Sequence, residues 1–117
     1  MFDHEKLDVY RVAVEFAVWA HEIGKQIPRS ERNIRDQWNR ASVSVPLTVA
    51  EGNGKRSPAD RKRFFEISRG SSLECASILD LLVRFTFVSV QDAAHGKDLL
   101  HREVSMLTKM IGGKKAA

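Results

Sequence analysis

One stretch decides how this chain folds: residues 50–65, which read Ala50-Glu51-Gly52-Asn53-Gly54-Lys55-Arg56-Ser57-Pro58-Ala59-Asp60-Arg61-Lys62-Arg63-Phe64-Phe65. Gly52 and Gly54 interrupt a helical pattern, and one of them is expected to be a left-handed residue at the end of a helix. Ser57, Pro58 and Asp60 are typical of a helix start, because serine caps the free amides and proline suits the first turn. The stretch therefore predicts two helices joined by a short basic turn.

Outward from this turn, apolar residues recur at spacings of three and four, which predicts helices. The first helix is expected from about Glu5 to Gln26, and the second from a cap at Ser30, as one unit kinked at Pro46, to Gly52 or Gly54. The third begins after Ser57 and the fourth after Ser89, ending near Ile111. Because no window alternates long enough to build a sheet, the fold class is all-α. We expect an antiparallel up-down-up-down four-helix bundle over residues 1–111, with 112–117 as a flexible C-terminal tail.

Composition and length bound the class of protein. At 117 residues the chain is one domain that can bury a core without disulfides, and Cys75 is its single cysteine. The N-terminus lacks the apolar run of a signal peptide, and no segment approaches the roughly 20 apolar residues that span a membrane. A cytoplasmic protein without a membrane partner is the expectation.

Catalytic and metal-binding signals are weak. The four histidines form no pair at the spacing that lets one helix face bind a metal, and HExxH and CxxC motifs do not occur. His21 and Cys75 fall on apolar helical faces, which favours a core or interface histidine and an inert buried thiol. We therefore expect no catalytic residue, no metal and no cofactor, and a protein that is not an enzyme.

The glycines beside Lys55 suggest a phosphate-binding loop, but their spacing does not support one. The pattern is neither GxxxxGK[ST] nor GxGxxG, and it follows a predicted helix rather than a strand. A helix–helix turn is the better interpretation.

Positive charge is concentrated in the middle of the chain. The net charge is +4, yet residues 32–69 hold nine cations against four acids, a net charge of +5. Such a surface favours polyanions, although a solvated, solubilising face is the alternative. The candidate nucleic-acid contacts are the five cations around the turn: Lys55, Arg56, Arg61, Lys62 and Arg63.

Acidic residues near the turn predict ion pairs. Glu51 and Glu74 lie at the ends of apolar stretches, where an unpaired charge is costly. We expect structural ion pairs near the turn that use Glu51 and Glu74 with Arg40 and with Arg56 or Arg69.

The first and third helices each carry a second, offset apolar face. A helix with two apolar faces must bury both, so one of them needs a neighbour outside its own bundle. These faces favour self-association.

A spaced pattern across three helices resembles a known family. It reads Leu7-x-Val9-Tyr10-x-x-Ala13-x-x-Phe16 in the first helix, then Gln37-x-x-Arg40-Ala41-x-x-Ser44-Val45-Pro46 and Val49-Ala50-Glu51-Gly52-x-Gly54-Lys55-x-Ser57, and then Asp60-x-x-x-Phe64-Phe65-x-Ile67-Ser68-x-Gly70-Ser71-x-x-Glu74. This pattern resembles the four-helix-bundle proteins, also called intervening-sequence proteins of 23S ribosomal RNA. Thr48 and Lys55 depart from the asparagine and arginine that are usual in the family, and lysine lacks the bidentate geometry of arginine.

The resemblance implies an antiparallel bundle that assembles into a homopentamer. It also implies, through the related accessory variability determinant of diversity-generating retroelements, binding to RNA or DNA through a basic surface and a reverse transcriptase as partner. The leading hypothesis is thus a homo-oligomeric accessory protein that binds nucleic acid. The alternative is a protein-interaction scaffold without a nucleic-acid function.

Overall fold

Four α-helices follow one another in residues 1–112, the part of the chain that the computed structural model describes. After a 3-10 turn over Asp3–Lys6, α1 spans Asp8–Gly24, α2 spans Arg32–Gly54, α3 spans Pro58–Arg84 and α4 spans Val90–Met110. No strand occurs within this range. The all-α prediction with four helices is confirmed.

Each helix packs against its sequence neighbours, and α1 also packs against α4. In each pair of neighbouring helices, residues late in one helix contact residues early in the next, which is the pattern of antiparallel helices. Trp38 Nε1 donates to the Ala20 carbonyl and Asn53 Nδ2 to Asp3, so α1 and α2 are antiparallel. Helices α2 and α3 are antiparallel as well, as the Ser68–Val45 hydrogen bond and the Arg40–Glu74 ion pair show. The Asp80–Lys97 ion pair and the Arg69–Thr108 hydrogen bond show the same for α3 and α4.

Serine caps define the starts of two helices. The Ser57 hydroxyl accepts from the Asp60 amide at 3.0 Å and the Ser89 hydroxyl from the Asp92 amide at 3.0 Å, so both predicted starts are confirmed. The predicted cap at Ser30 is wrong, because α2 begins one residue later with Glu31 at its N-cap and no side-chain cap bond. The first predicted helix is divided at Leu7, whose extended backbone separates the 3-10 turn from α1.

Gly52 and Gly54 lie inside the last turn of α2, and neither has a positive φ. The expectation of a left-handed glycine cap is wrong, since the chain leaves α2 through an extended Lys55 instead. Gly52 is needed for packing: a Cβ at that position would lie 2.7 Å from the Phe65 ring. The predicted single helical unit across Pro46 is observed, with α2 continuous through that residue.

Two hydrophobic clusters fill the bundle. The larger one surrounds Phe16, Trp38 and Leu79 and extends to the α3–α4 connection. The smaller one contains Val9, Val49, Phe65 and Leu107, near the α2–α3 turn. Gly96 of α4 permits close packing in the larger cluster, because a Cβ there would lie 2.3 Å from Trp19.

Gly112, with a φ of 81°, follows α4, and the rest of the predicted tail lies outside the described residues. Within residues 1–112, none of the helices has both the length and the apolar character required to cross a bilayer.

Candidate nucleic-acid interface

The turn between α2 and α3 presents a cluster of cations on a fixed backbone. Residues 55–57 connect the two helices, with Lys55 and Ser57 extended and Ser57 capping α3. Below the turn, the missing side chain of Gly52 lets α2 approach Phe65 of α3. We call the five cations of this turn, which are the candidates named from the sequence, the basic corner: Lys55, Arg56, Arg61, Lys62 and Arg63.

Arg61 holds the basic corner together. Its guanidinium donates to the Asn53 carbonyl at 2.8 Å, and at 3.4 Å to both the Lys55 carbonyl and the Asn53 side chain. It also lies 5.7 Å from the centre of the Phe65 ring. These carbonyls belong to the C-terminal end of α2, which lacks intrahelical donors and carries a partial negative charge. Arg61 therefore joins α2 to α3, and its role as a candidate phosphate contact stays a prediction.

Lys55 and Arg63 both lie close to Phe64. The Lys55 ammonium is 5.0 Å and the Arg63 guanidinium 5.5 Å from the ring centre, distances typical of cation–π contacts. Both side chains belong to exposed residues. Phe64 thus restricts where the two charges lie while leaving them accessible to solvent.

Arg56 and Lys62 are the unengaged members of the basic corner. Both are exposed, and neither takes part in an ion pair or a side-chain hydrogen bond within the described residues. The single acid among residues 55–63 is Asp60, in the first turn of α3. These two cations have the greatest freedom to meet an incoming anion.

The expected ion pairs form only in part. Arg40 Nη2 lies 2.7 Å from Glu74 Oε2, beside a 2.9 Å hydrogen bond between Ser71 and Ser44. Because the Arg40 side chain is 62% exposed, this pair is worth at most about 1 kcal/mol. Glu51 is exposed and takes no part in an ion pair of the described chain, and Arg69 donates to Thr108 Oγ1 instead. The ion pairs expected of Glu51 and Arg69 are therefore not present in the described chain, because the Glu51 side chain is exposed and Arg69 hydrogen-bonds to α4.

Cys75 and His21, which the sequence places on apolar helical faces, lie in different environments. Cys75 is buried, and burial with the nearby Glu74 raises the pKa of its thiol to about 12, so it stays protonated. His21 lies at the protein surface rather than in the core. Residues 1–112 contain no group of three or more His, Cys, Asp or Glu side chains that could hold a metal ion.

Glu103 of α4 is the residue that sequence reasoning missed. It is fully buried, and both carboxyl oxygens lack a hydrogen-bond partner. The signal is present in the sequence, because Glu103 lies four residues after Leu99 and four before Leu107 on the apolar stripe of α4.

Large apolar side chains of residues 1–112 remain exposed at several places, which include two surfaces that involve α3. The α2–α3 surface consists of Val43, Leu47 and Ile67, beside the Ser44–Ser71 hydrogen bond. The α3–α4 surface consists of Leu73, Leu81 and Val90, along the groove that also holds the Asp80–Lys97 pair. The second apolar faces predicted for the first and third helices are buried or half-buried within the protomer, so the expectation that they need a neighbour outside the bundle is wrong.

Comparison with known proteins identifies the family. A family model described as 23S rRNA-intervening sequence protein matches residues 5–109. The chain belongs to the 23S rRNA-intervening sequence protein family. The matched range contains all four helices except the last residue of α4, together with the whole basic corner. No curated protein matches this member of the family.

A solved structure resembles this family member closely in fold. It is the 1.70 Å crystal structure of a protein of unknown function from the S23 ribosomal protein family of Bacteroides thetaiotaomicron. The TM-score is 0.82 over 90% of this chain and 99% of that chain. At 20% sequence identity the likeness establishes the shared helical fold alone.

Proposed function

We propose that this member of the 23S rRNA-intervening sequence protein family is a non-enzymatic, homo-oligomeric protein that binds RNA or DNA through its basic corner. The observation that carries the proposal is the exposure of Arg56 and Lys62, without an ion-pair partner in the described chain, on a backbone held by Arg61. Cations in such a position can meet phosphates without first breaking an intramolecular pair.

The rigidity of the corner supports this function. Arg61 fixes the end of α2 to the start of α3, Ser57 caps α3, and Gly52 allows the tight contact with Phe65. Since few backbone torsions remain to be ordered on binding, the entropic cost of docking a polyanion is reduced.

Phosphate contacts would dominate the interaction. Lysine and arginine side chains that touch phosphates release counterions, so affinity falls steeply as salt rises and little sequence is read. The two cations of the basic corner that lack a partner in the described chain, with Lys55 and Arg63 beside Phe64, form a small footprint. Useful affinity therefore requires several protomers acting together.

The exposed apolar surfaces support self-association. Leu47 is 56% exposed on the α2–α3 surface, and Val90 is 67% exposed on the α3–α4 surface. Two different apolar surfaces on one protomer suit a head-to-tail contact, which generates a ring when its rotation closes. The family resemblance noted from the sequence makes a homopentamer the expected ring.

Fluorescence anisotropy with a labelled RNA hairpin, and with a DNA duplex, tests the proposal. The family description refers to 23S rRNA, which makes a hairpin the first probe. At about 50 mM salt the double variant Arg56→Gln/Lys62→Gln is expected to bind at least roughly tenfold more weakly than the native chain, with a shallower salt slope. The matched control is Arg29→Gln/Arg32→Gln, which removes the same charge from exposed positions at the other end of α2.

Equal weakening by the two double variants would show that net charge alone drives binding, which would contradict a role for the basic corner. No binding by the native chain to either probe at low salt would contradict nucleic-acid binding altogether. The second candidate, a scaffold for another protein such as the reverse transcriptase that the resemblance implies, is favoured by the apolar surfaces. A partner that remains bound after nuclease treatment would support it.

A further inference from the structure

Glu103 has an ionisable side chain, but it lies in the core of the bundle without a hydrogen-bond partner among the described residues. Its exposed fraction is 0%, and neither carboxyl oxygen accepts or donates a hydrogen bond within the described chain. An ionised carboxylate in such a place loses its hydration without compensation, which is one of the costliest arrangements in a protein core. The carboxyl group therefore has to be neutral for the helices to pack as they do.

Glu103 lies between the two hydrophobic clusters of the bundle. Leu99, one turn before it, belongs to the larger cluster, and Leu107, one turn after it, belongs to the smaller one. The Arg69–Thr108 and Leu79–Gly96 contacts set the register of α3 against α4 and place Ser72 level with Glu103.

The buried serines at this level do not satisfy the carboxyl. Ser72 donates its hydroxyl proton to the Ser68 carbonyl at 3.0 Å, and Ser68 donates to the Val45 carbonyl at 2.8 Å. Both serines are fully buried. The hydroxyl groups of Ser68 and Ser72 thus donate to backbone carbonyls and not to the Glu103 carboxyl.

Charged groups on the four helices do not neutralise Glu103 either. Burial raises the pKa of its carboxyl from an ordinary 4.5 to about 8, and the neighbouring Arg102 lowers it only in part. On α1, Arg11 pairs with Asp8, and on α3, Arg69 is hydrogen-bonded to Thr108. Between Arg40 and Glu51, α2 carries no charged residue. Other titratable groups on these helices are Glu15 and His101, which line a groove with Arg11 and Arg102, and Glu74 and Cys75, which follow Ser72 on α3.

We propose that Glu103 makes the packing of α4 sensitive to pH: the closed bundle requires the neutral carboxyl, and ionisation loosens α4 from the core. The sign follows from proton linkage. Below pH 4.5 the carboxyl is protonated in both the folded and the unfolded chain, so it has no effect. Between pH 4.5 and about 8 only the folded chain keeps the proton, so stability falls as pH rises, and above pH 8 the loss is complete.

Unfolding by urea across pH 5 to 9, at one protein concentration, measures the effect. The matched variant is Glu103→Gln, which keeps the shape of the side chain and cannot ionise. For the native chain the unfolding constant is expected to rise about tenfold per pH unit between pH 5 and 8, relative to the variant. Trp19 reports on α4, because its ring packs against Gly96 and lies 5.7 Å from the His95 ring. The tryptophan emission, to which Trp38 also contributes, should shift to longer wavelength at pH 9 in the native chain alone, and Trp38 and His95, present in both proteins, cancel in the comparison.

Parallel pH profiles for the native chain and Glu103→Gln would overturn the proposal. If the variant does not fold, carbon NMR of the glutamate carboxyls in the native chain decides the matter. One carboxyl that titrates near pH 8, apart from the others, is the expected result. Titration of all glutamates below pH 6 would overturn the proposal.

Discussion

Five cations in nine residues carry the same charge but occupy different environments in the basic corner. Arg61 hydrogen-bonds to carbonyls at the end of α2, Lys55 and Arg63 lie beside Phe64, and Arg56 and Lys62 remain free in the described chain. The sequence predicts that this turn is basic, since composition alone is enough for that. It does not distinguish these roles, because they depend on where carbonyls and rings of another helix lie.

Gly52 and Glu103 are two residues whose structural roles the sequence pattern does not reveal. A glycine at a helix end has the same sequence signature whether it supplies a left-handed backbone or, as Gly52 does, room for Phe65. Glu103 occupies a core position of α4, but acidic residues are so rarely buried alone that its spacing does not distinguish it from an exposed glutamate.

Replacing Gly52 with alanine tests the packing role at the residue scale. A methyl group 2.7 Å from the Phe65 ring forces the ring or α3 to move, so Gly52→Ala should destabilise the fold by about 1–3 kcal/mol in urea unfolding.

Gly70 provides the matched control, because a Cβ there meets nothing within 4 Å and the position is exposed in the middle of α3. Gly70→Ala should stabilise the fold by about 0.5–1 kcal/mol through the lower helix cost of alanine. If both substitutions stabilised the protein to the same degree, the account of Gly52 would be wrong.

At the scale of the helices, the starts that depend on local chemistry are predicted correctly. Ser57 and Ser89 satisfy an amide three residues later, an interaction that is complete within one turn. The start of α2 is displaced from Ser30 to Glu31, and the first helix is divided at Leu7. Neither of these boundaries has a side-chain cap that the sequence could reveal.

Removing the caps tests this distinction. Ser57→Ala and Ser89→Ala should each lower the free energy of unfolding by about 1 kcal/mol, because each leaves an amide at the helix start without its side-chain acceptor. Ser30→Ala, at the position where a cap was expected and is not found, should change it by less than about 0.5 kcal/mol. A loss at Ser30 equal to that at Ser57 would contradict the observed start of α2.

At the scale of the whole molecule, the antiparallel arrangement of four helices follows from amphipathic periodicity and short connections. The proposed activity depends on more than one protomer. The free cations of a single basic corner are few, whereas a ring brings several corners within reach of one polyanion. Assembly through the two apolar surfaces is therefore the central claim of this account.

Light scattering on a sizing column measures assembly most directly. The native chain should elute with a mass about five times the 13.2 kDa of one protomer. Leu47→Glu, which puts a charge on the α2–α3 surface, should shift the mass toward that of the protomer. Val18→Glu, the same kind of change at an exposed position of α1 outside both surfaces, should leave the mass of the native assembly unchanged. A native chain that elutes at 13.2 kDa would contradict the claim.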